Sequence, residues 1–230
     1  MDIDINGEEL KMNDKKYIQK KRIIKYFIDA VKQIQEEEGL QAVTIRKVAD
    51  IAGYNSATLY NYFENLDHLL LFASMDYFQE YVDQLPKCLR NVKDPIQRYI
   101  LVAECFYRNS FLHPQNFYSI FFAKVSNSID KYMGDYYELF PIDTSEMDDD
   151  IATMVSETDL FSRGSISIKK CIDEGYFTKE DGIEMNDIMT YVYESFLYRV
   201  IHDELDPGEA NDKINKYLSN IIKPELFMMI

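Results

Sequence analysis

The sequence predicts an all-α protein, with a three-helix unit built around a helix-turn-helix at the N-terminal end and a larger helical domain after it. Three observations carry that reading. Only 8 Gly and 6 Pro interrupt 230 residues. Alternation of apolar residues with period two, the mark of a half-buried strand, is scarce, while three- and four-residue apolar steps recur along most of the chain. The segment Thr44–Leu70 (TIRKVADIAGYNSATLYNYFENLDHLL) holds two short helical patterns joined at Gly53.

The first predicted helix runs from about Lys16 to Glu38, with Ile23, Ile24, Phe27, Ile28, Val31 and Ile34 forming its apolar stripe. Residues 1–14 are expected to form a mobile arm. Thr44 is placed to N-cap a helix over 45–52, since its hydroxyl can accept from a first-turn N–H. Gly53 supplies the left-handed residue that ends that helix at low cost. Asn55 caps a helix over 56–63. Two short helices around a glycine turn are the sequence form of a helix-turn-helix.

The second of these helices is polar for its length. Beside Ala57, Leu59 and Phe63 it presents Ser56, Thr58, Tyr60, Asn61 and Tyr62. Hydroxyls, an amide and phenols suit base edges and phosphate oxygens in a major groove.

The run Thr44–Gly53 followed by Ala57-Thr58-Leu59-Tyr60-Asn61-Tyr62-Phe63 resembles the DNA-binding signature of the TetR/AcrR family of bacterial transcriptional regulators. The resemblance extends from about Arg22 to Leu70. It implies that Arg46, Ser56, Ala57 and Thr58 approach bases, and that Thr44, Tyr60 and Tyr62 lie near phosphates or the groove wall. With Asn55, Asn61 and the basic residues Lys20 and Lys21, these form the expected DNA-binding set. One position departs from the pattern. Where the family usually carries a phosphate-touching lysine after the recognition helix, this chain has Leu66, with Glu64 close by.

The formal net charge of −15 looks unsuited to DNA. Its distribution is uneven. Residues 1–68 hold 10 Lys/Arg and 12 Asp/Glu, so most of the acidic surplus lies beyond them, and the stretch 15–25 (KKYIQKKRIIK) has six basic residues and no acidic one. A local basic patch attracts phosphate, while the acidic remainder discourages non-specific binding.

Downstream, a fourth helix is expected from Asn65 to about Leu85, barred from continuing by Pro86. With no flexible linker before it, it would act as a lever between the domains. Further helices are expected over 95–112, from Pro114, over part of 131–150, over 151–173 as one piece, over 181–203 and over 208–222. The last two form an αα-hairpin. The resemblance makes that pair the homodimer interface. It also makes the domain over 67–230 a ligand-binding domain following a DNA-binding domain over 15–66.

The candidate effector pocket draws on Phe106, Tyr107, Phe117, Phe121, Phe122, Met154, Phe161 and Phe196. Such a wall suits a small hydrophobic effector, and the acidic surroundings favour a cationic amphiphilic one.

Other classes of function find little support. The three histidines, His68, His113 and His202, sit in no nucleophile, zinc or phosphate-loop motif, so no catalytic residue, metal site or cofactor is expected. His68 reads as a surface or interface residue. Asp148-Asp149-Asp150 lacks the alternate spacing of a calcium loop. Cys88, Cys105 and Cys171 are far apart and odd in number, which suggests reduced thiols in a cytoplasm. No apolar run approaches the ~20 residues of a membrane span. The expectation is a sequence-specific transcriptional regulator, a ligand-released repressor acting as a homodimer on a palindromic double-stranded operator. The alternative is a helical protein-interaction module derived from the same family that no longer binds DNA.

Overall fold

A computed structural model describes residues 5–122 and 129–222, with side chains from Lys15 onward and from Lys131 onward in the second stretch. Among the described residues every regular element is helical: α1 Ile5–Glu38, a 3-10 turn at Leu40–Ala42, α2 Ile45–Ile51, α3 Ser56–Tyr60, α4 Leu66–Cys88, α5 Pro95–Leu112, α6 Pro114–Phe121, α7 Ile129–Leu139, α8 Asp149–Ser156, α9 Leu160–Asp173, α10 Lys179–Ile201 and α11 Pro207–Ile221.

Most helix starts follow from local chemistry. Asp94, Asp159, Thr178 and Asp206 each accept a first-turn N–H, at 2.7–3.1 Å. Each such cap contributes about 1 kcal/mol. Pro95, Pro114 and Pro207 stand at the first helical positions, where a missing N–H costs nothing.

Four boundaries differ from expectation. The first helix begins at Ile5, so residues 5–14 of the expected arm are helical, while residues 1–4 lie outside the described residues. Glu8, Glu9, Leu10, Lys11 and Met12 are all good helix formers and outweigh Gly7. The α4 helix runs through Pro86 to Cys88, because a proline in the last turn removes one hydrogen bond near an end that is already under-bonded. The α3 helix stops at Tyr60, and Tyr62 and Phe63 donate back to the Leu59 carbonyl instead of continuing the helix. The expected single helix over 151–173 is two. Glu157 is extended and Asp159 starts a new helix by capping Ser162. The signal was present in Thr158-Asp159, an N-cap pair inside an otherwise continuous apolar pattern.

The chain divides into two compact units, and the division falls within α4, after Asp76. The N-terminal unit contains α1 to α3, the first half of α4 and, from the middle of the chain, α7. Its core is Ile24, Phe27, Ile28, Val31 and Ile34 of α1 against Val48, Ala49, Leu59, Phe63, Leu69 and Phe72, all almost fully buried. Lys25 and Lys32 of α1 both reach Asp76 of α4, at 2.7 and 2.9 Å. At these partly screened positions such pairs contribute at most about 1 kcal/mol each. Tyr17 of α1 donates to the carbonyl of Glu138 on α7, at 2.9 Å.

In the second unit α9 and α10 approach closely at Gly164. A Cβ built there would stand 1.7 Å from Asn186 Oδ1. Asn186 is buried, and its Nδ2 donates to the Phe161 carbonyl at 3.1 Å. The same unit holds Cys88 and Cys105 with their sulfurs 3.4 Å apart, so the thiols are not all remote from one another. Burial, then the neighbouring Cys88, pushes the Cys105 thiol up to about 12.

Helix propensity alone favours alanine over glycine by about 1 kcal/mol. Gly134 of α7 meets that condition, with nothing within 4 Å of an added Cβ. Gly134→Ala is therefore expected to raise stability by about 0.5–1 kcal/mol in urea unfolding. Gly164→Ala is expected to lower it by about 1–3 kcal/mol, because Asn186 must move. Two changes of the same sign would refute the close approach at Gly164.

Candidate nucleic-acid interface and effector cavity

Thr44 Oγ1 accepts from Lys47 N at 3.3 Å and so starts α2 as expected. Tyr54 N donates to the Ala49 carbonyl at 2.9 Å, and Gly53 turns the chain at φ 77°. A side chain there would cost roughly 1 kcal/mol or more. Asn55 Oδ1 accepts from the Thr58 N–H at 2.8 Å and from its hydroxyl at 3.1 Å. Leu59 and Phe63 are buried, which turns the opposite side of α3 outward.

Of the predicted DNA-binding set, Lys20, Thr44, Arg46, Asn55, Ala57, Tyr60 and Asn61 are exposed, and Lys21, Ser56, Thr58 and Tyr62 are half-buried. The Arg46 side chain is 91% exposed, its Nε 4.0 Å from Asp50, and so free to reach outward. Three polar groups of the set are already engaged, the first being the Thr44 hydroxyl oxygen that caps α2. The Asn55 oxygen is a cap, and the Thr58 hydroxyl donates to it. The Tyr62 ring lies 6.2 Å from Phe27 and the Lys21 ammonium 5.1 Å over the Phe140 ring, so both have packing roles.

Glu64 does not stand as a bare negative charge beside this surface. It pairs with Lys131 of α7 and accepts from the Tyr132 hydroxyl at 2.9 Å. These bonds hold its carboxyl below the usual range and raise the Lys131 ammonium. Lys131 thus offsets the charge of Glu64 at the end of the recognition unit. Nothing local in the sequence signals this, since Lys131 is 67 residues away.

His68 is not a surface residue. It is 4% exposed, stacked on Tyr132 at 4.0 Å and edge-on to Phe63 and Phe72. Its Nδ1 accepts from the Glu64 N–H at 3.2 Å, which assigns the proton of the neutral ring to Nε2. Nε2 is buried without a partner. Burial lowers the imidazole pKa below its ordinary value. Asp135 and Glu64 oppose that shift and Lys131 adds to it.

The matched family decides what this domain is. Residues 27–72 match the sequence model described as "Bacterial regulatory proteins, tetR family". This domain belongs to the TetR family. No curated protein matches the chain. Solved structures of TetR-family fold resemble it over most of its length. The fatty acid degradation regulator FadR from Bacillus halodurans superposes with a TM-score of 0.56 at 15% identity, over 85% of this chain and 94% of that one. The TetR-family repressor FadR from Thermus thermophilus, solved with lauroyl-CoA, gives 0.52 at 13%, over 85% and 92%. A second Thermus thermophilus protein, the TetR-family regulator PfmR, gives 0.52 at 16%, over 88% and 94%. At these identities the likeness shows the fold alone.

The second unit contains a cavity of about 70 Å³. Of the expected ligand residues, Phe106, Tyr107 and Met154 line it. The others do not. Phe117 is fully buried against Phe78 and Phe106, Phe121 packs on the same two rings, and Phe122 lies against Tyr118 and Tyr193. Phe161 meets Tyr191, and Phe196 meets Tyr217. Of these five, only Phe117 belongs to the core, and the other four are half-buried. The cavity also has polar members, above all Arg163, Asn186, Thr190 and Tyr193. The lining has no Asp or Glu, so the acidic surface does not extend to its wall and the expected preference for a cation has no basis there. Among the described residues no cluster of metal-ligating side chains occurs, and no helix is long and apolar enough to cross a membrane.

The His68 pKa is lowered in the fold, so the unfolded chain takes up a proton first as pH falls. Stability from a neutral buried His68 is complete above about pH 6.5 and falls below it. Thermal unfolding from pH 7 to 5 is expected to show a steeper loss in the wild type than in His68→Phe, which keeps a ring but does not titrate. Parallel profiles would show that His68 is not the titrating group.

Proposed function

We propose that the protein is a transcriptional repressor that binds a palindromic operator as a homodimer and is released by a small effector. The observation that carries the reading is the exposed face of α3 with Arg46 beside it, on a domain of the TetR family. Arg46 suits a bidentate bond to guanine, and Ala57, Tyr60 and Asn61 are free to meet bases and backbone. Lys20 adds a cation for phosphate, and Lys131 offsets the negative charge of Glu64.

The dimer reading is supported by an apolar face on the last two helices. Ile188, Tyr191 and Tyr198 of α10 and Tyr217 of α11 are between 42% and 62% exposed, surface that a second copy would bury. Two copies of this hairpin form a four-helix interface. Reading two half-sites places two recognition helices about 34–36 Å apart. An effector that prefers one conformation then shifts the population away from that spacing. The family-derived interaction module without DNA binding is favoured by one observation, the overall charge of −15. DNA affinity separates the two.

Fluorescence anisotropy against duplexes tiled from the gene's upstream region, at two salt concentrations, tests the reading. One tile should bind more tightly than scrambled DNA, with affinity falling as salt rises. Arg46→Ala should weaken that tile about 10- to 100-fold, corresponding to a bidentate base contact of about 1–3 kcal/mol, and weaken random duplex far less. Equal losses on both would remove Arg46 from base readout. No binding above scrambled DNA for any genomic fragment would favour the interaction module.

A further inference from the structure

We infer that the effector cavity takes a small monoanionic carboxylate, gripped by the buried guanidinium of Arg163. The inference rests on the proposal that this unit is the effector-binding part of a regulator, and it names the ligand's chemistry.

Arg163 lies on α9 and is 3% exposed. Its Nη1 donates to the carbonyls of Val155 and Glu157, both at 3.1 Å, where α8 ends and carbonyls lack helical partners. Its guanidinium carbon lies 4.8 Å from the Phe78 ring centroid and 5.8 Å from that of Phe121. Two carbonyls and two π faces soften the cost of burying the cation without neutralising it. The phenol of Tyr81 beside it brings no charge, since burial pushes its pKa up to about 12. Among the described residues no carboxylate pairs with Arg163, and none lines the cavity. Nη2 is buried with no hydrogen bond of good geometry, and the neutral Tyr81 hydroxyl is the polar side chain within reach of the guanidinium. A buried cation left this way costs several kcal/mol unless something compensates it.

The cavity supplies room for the compensating group. Arg163 is part of its wall, together with Tyr99, Phe106, Met154, Met189 and Tyr193. The Tyr193 hydroxyl is also buried, with the Ser110 hydroxyl within its reach. The nearby polar groups are already spent as donors. The Thr190 hydroxyl donates to the Asn186 carbonyl at 2.9 Å, and Asn186 Nδ2 donates to the Phe161 carbonyl at 3.1 Å. The group left without a well-formed partner is therefore the Arg163 guanidinium at Nη2, a donor suited to a carboxylate oxygen. The rest of the wall is aromatic or thioether and suits an apolar body.

Size and charge narrow the class. A volume of about 70 Å³ exceeds what one water needs, and falls well below the ~300 Å³ of drug-sized sites. A cationic ligand would meet the buried guanidinium across a mostly apolar wall and be repelled. A neutral ligand would leave the charge uncompensated. A compact carboxylate satisfies Arg163 and fills the cavity at once.

Isothermal calorimetry on the purified full chain tests this with benzoate and hexanoate, their neutral amides benzamide and hexanamide, and benzylamine. The expected result is carboxylate binding with each amide about 10- to 100-fold weaker, the range of a charge-assisted hydrogen bond of about 1.5–3 kcal/mol, and no binding of benzylamine. Arg163→Met should abolish the preference for the carboxylate. Because Arg163 also holds the end of α8, Ala103→Leu serves as the second variant. It keeps the guanidinium, fills the cavity and should lose carboxylate binding with the helical circular dichroism unchanged. Equal affinity for carboxylate and amide, carboxylate binding unaltered in Ala103→Leu, or no carboxylate binding at all would each overturn the inference. Operator binding is measured separately by anisotropy. Intact operator binding without carboxylate binding overturns this inference and leaves the regulator standing. Carboxylate binding without operator binding does the reverse.

Discussion

A helix of five residues does not hold together in water, and α3 has only Ser56–Tyr60. Everything proposed for the surface of this protein depends on how those residues are kept in place. The answer is one buried aromatic cluster. Phe63, just past α3, lies edge-on to Phe27 of α1 and to Phe72 of α4, with ring centroids 6.2 and 5.3 Å apart. Leu59 is fully buried beside them. Burial of Leu59 and Phe63 contributes about 1.5–3 kcal/mol each, several times what the short helix contributes by its own hydrogen bonding. The Asn55 cap and the Gly53 turn fix where α3 starts. The cluster fixes which face looks outward.

The same cluster ties the recognition unit to a distant part of the chain. His68 touches Phe63 and Phe72 on one side and stacks on Tyr132 of α7 on the other, while Tyr132 and Lys131 hold Glu64. The residue after α3 that looks most hostile to DNA is therefore an anchor for α7. A change in where α7 packs would reach the end of α3 through three side chains in contact. The His68 ring is a titratable member of that chain of contacts, which makes pH a second handle on it.

Much of the fold was legible because it rests on local rules. Thr44, Gly53, Asn55, Pro95 and Pro114 mark helix ends by chemistry that acts within one turn, and α5 starts and stops where those marks place it. The stripe Ile24-Phe27-Ile28-Val31-Ile34 is the core that its spacing implies. The exposed candidates Arg46, Ala57, Tyr60 and Asn61 could be chosen from a family pattern with fixed spacing. What escaped depends on contacts between residues far apart in sequence. Glu64 with Lys131, Lys25 and Lys32 with Asp76, and Cys88 with Cys105 leave no periodic trace. The cavity was misjudged for a related reason. Aromatic residues at helical spacing mark buried faces in general, so Phe117 and Phe196 looked equivalent to Phe106, and the cavity's buried arginine, Arg163, stands outside any aromatic stripe.

Amide hydrogen exchange on the full chain tests most directly whether buried packing, and not the helix itself, presents the recognition surface. Residues 58–63 should be protected to the same degree as the buried turns of α1 around Phe27 and Ile28. In Phe63→Ala they should lose protection by several kcal/mol while α5 and α10 keep theirs. Free exchange of residues 58–63 in the wild type, or protection that survives Phe63→Ala, would contradict the account.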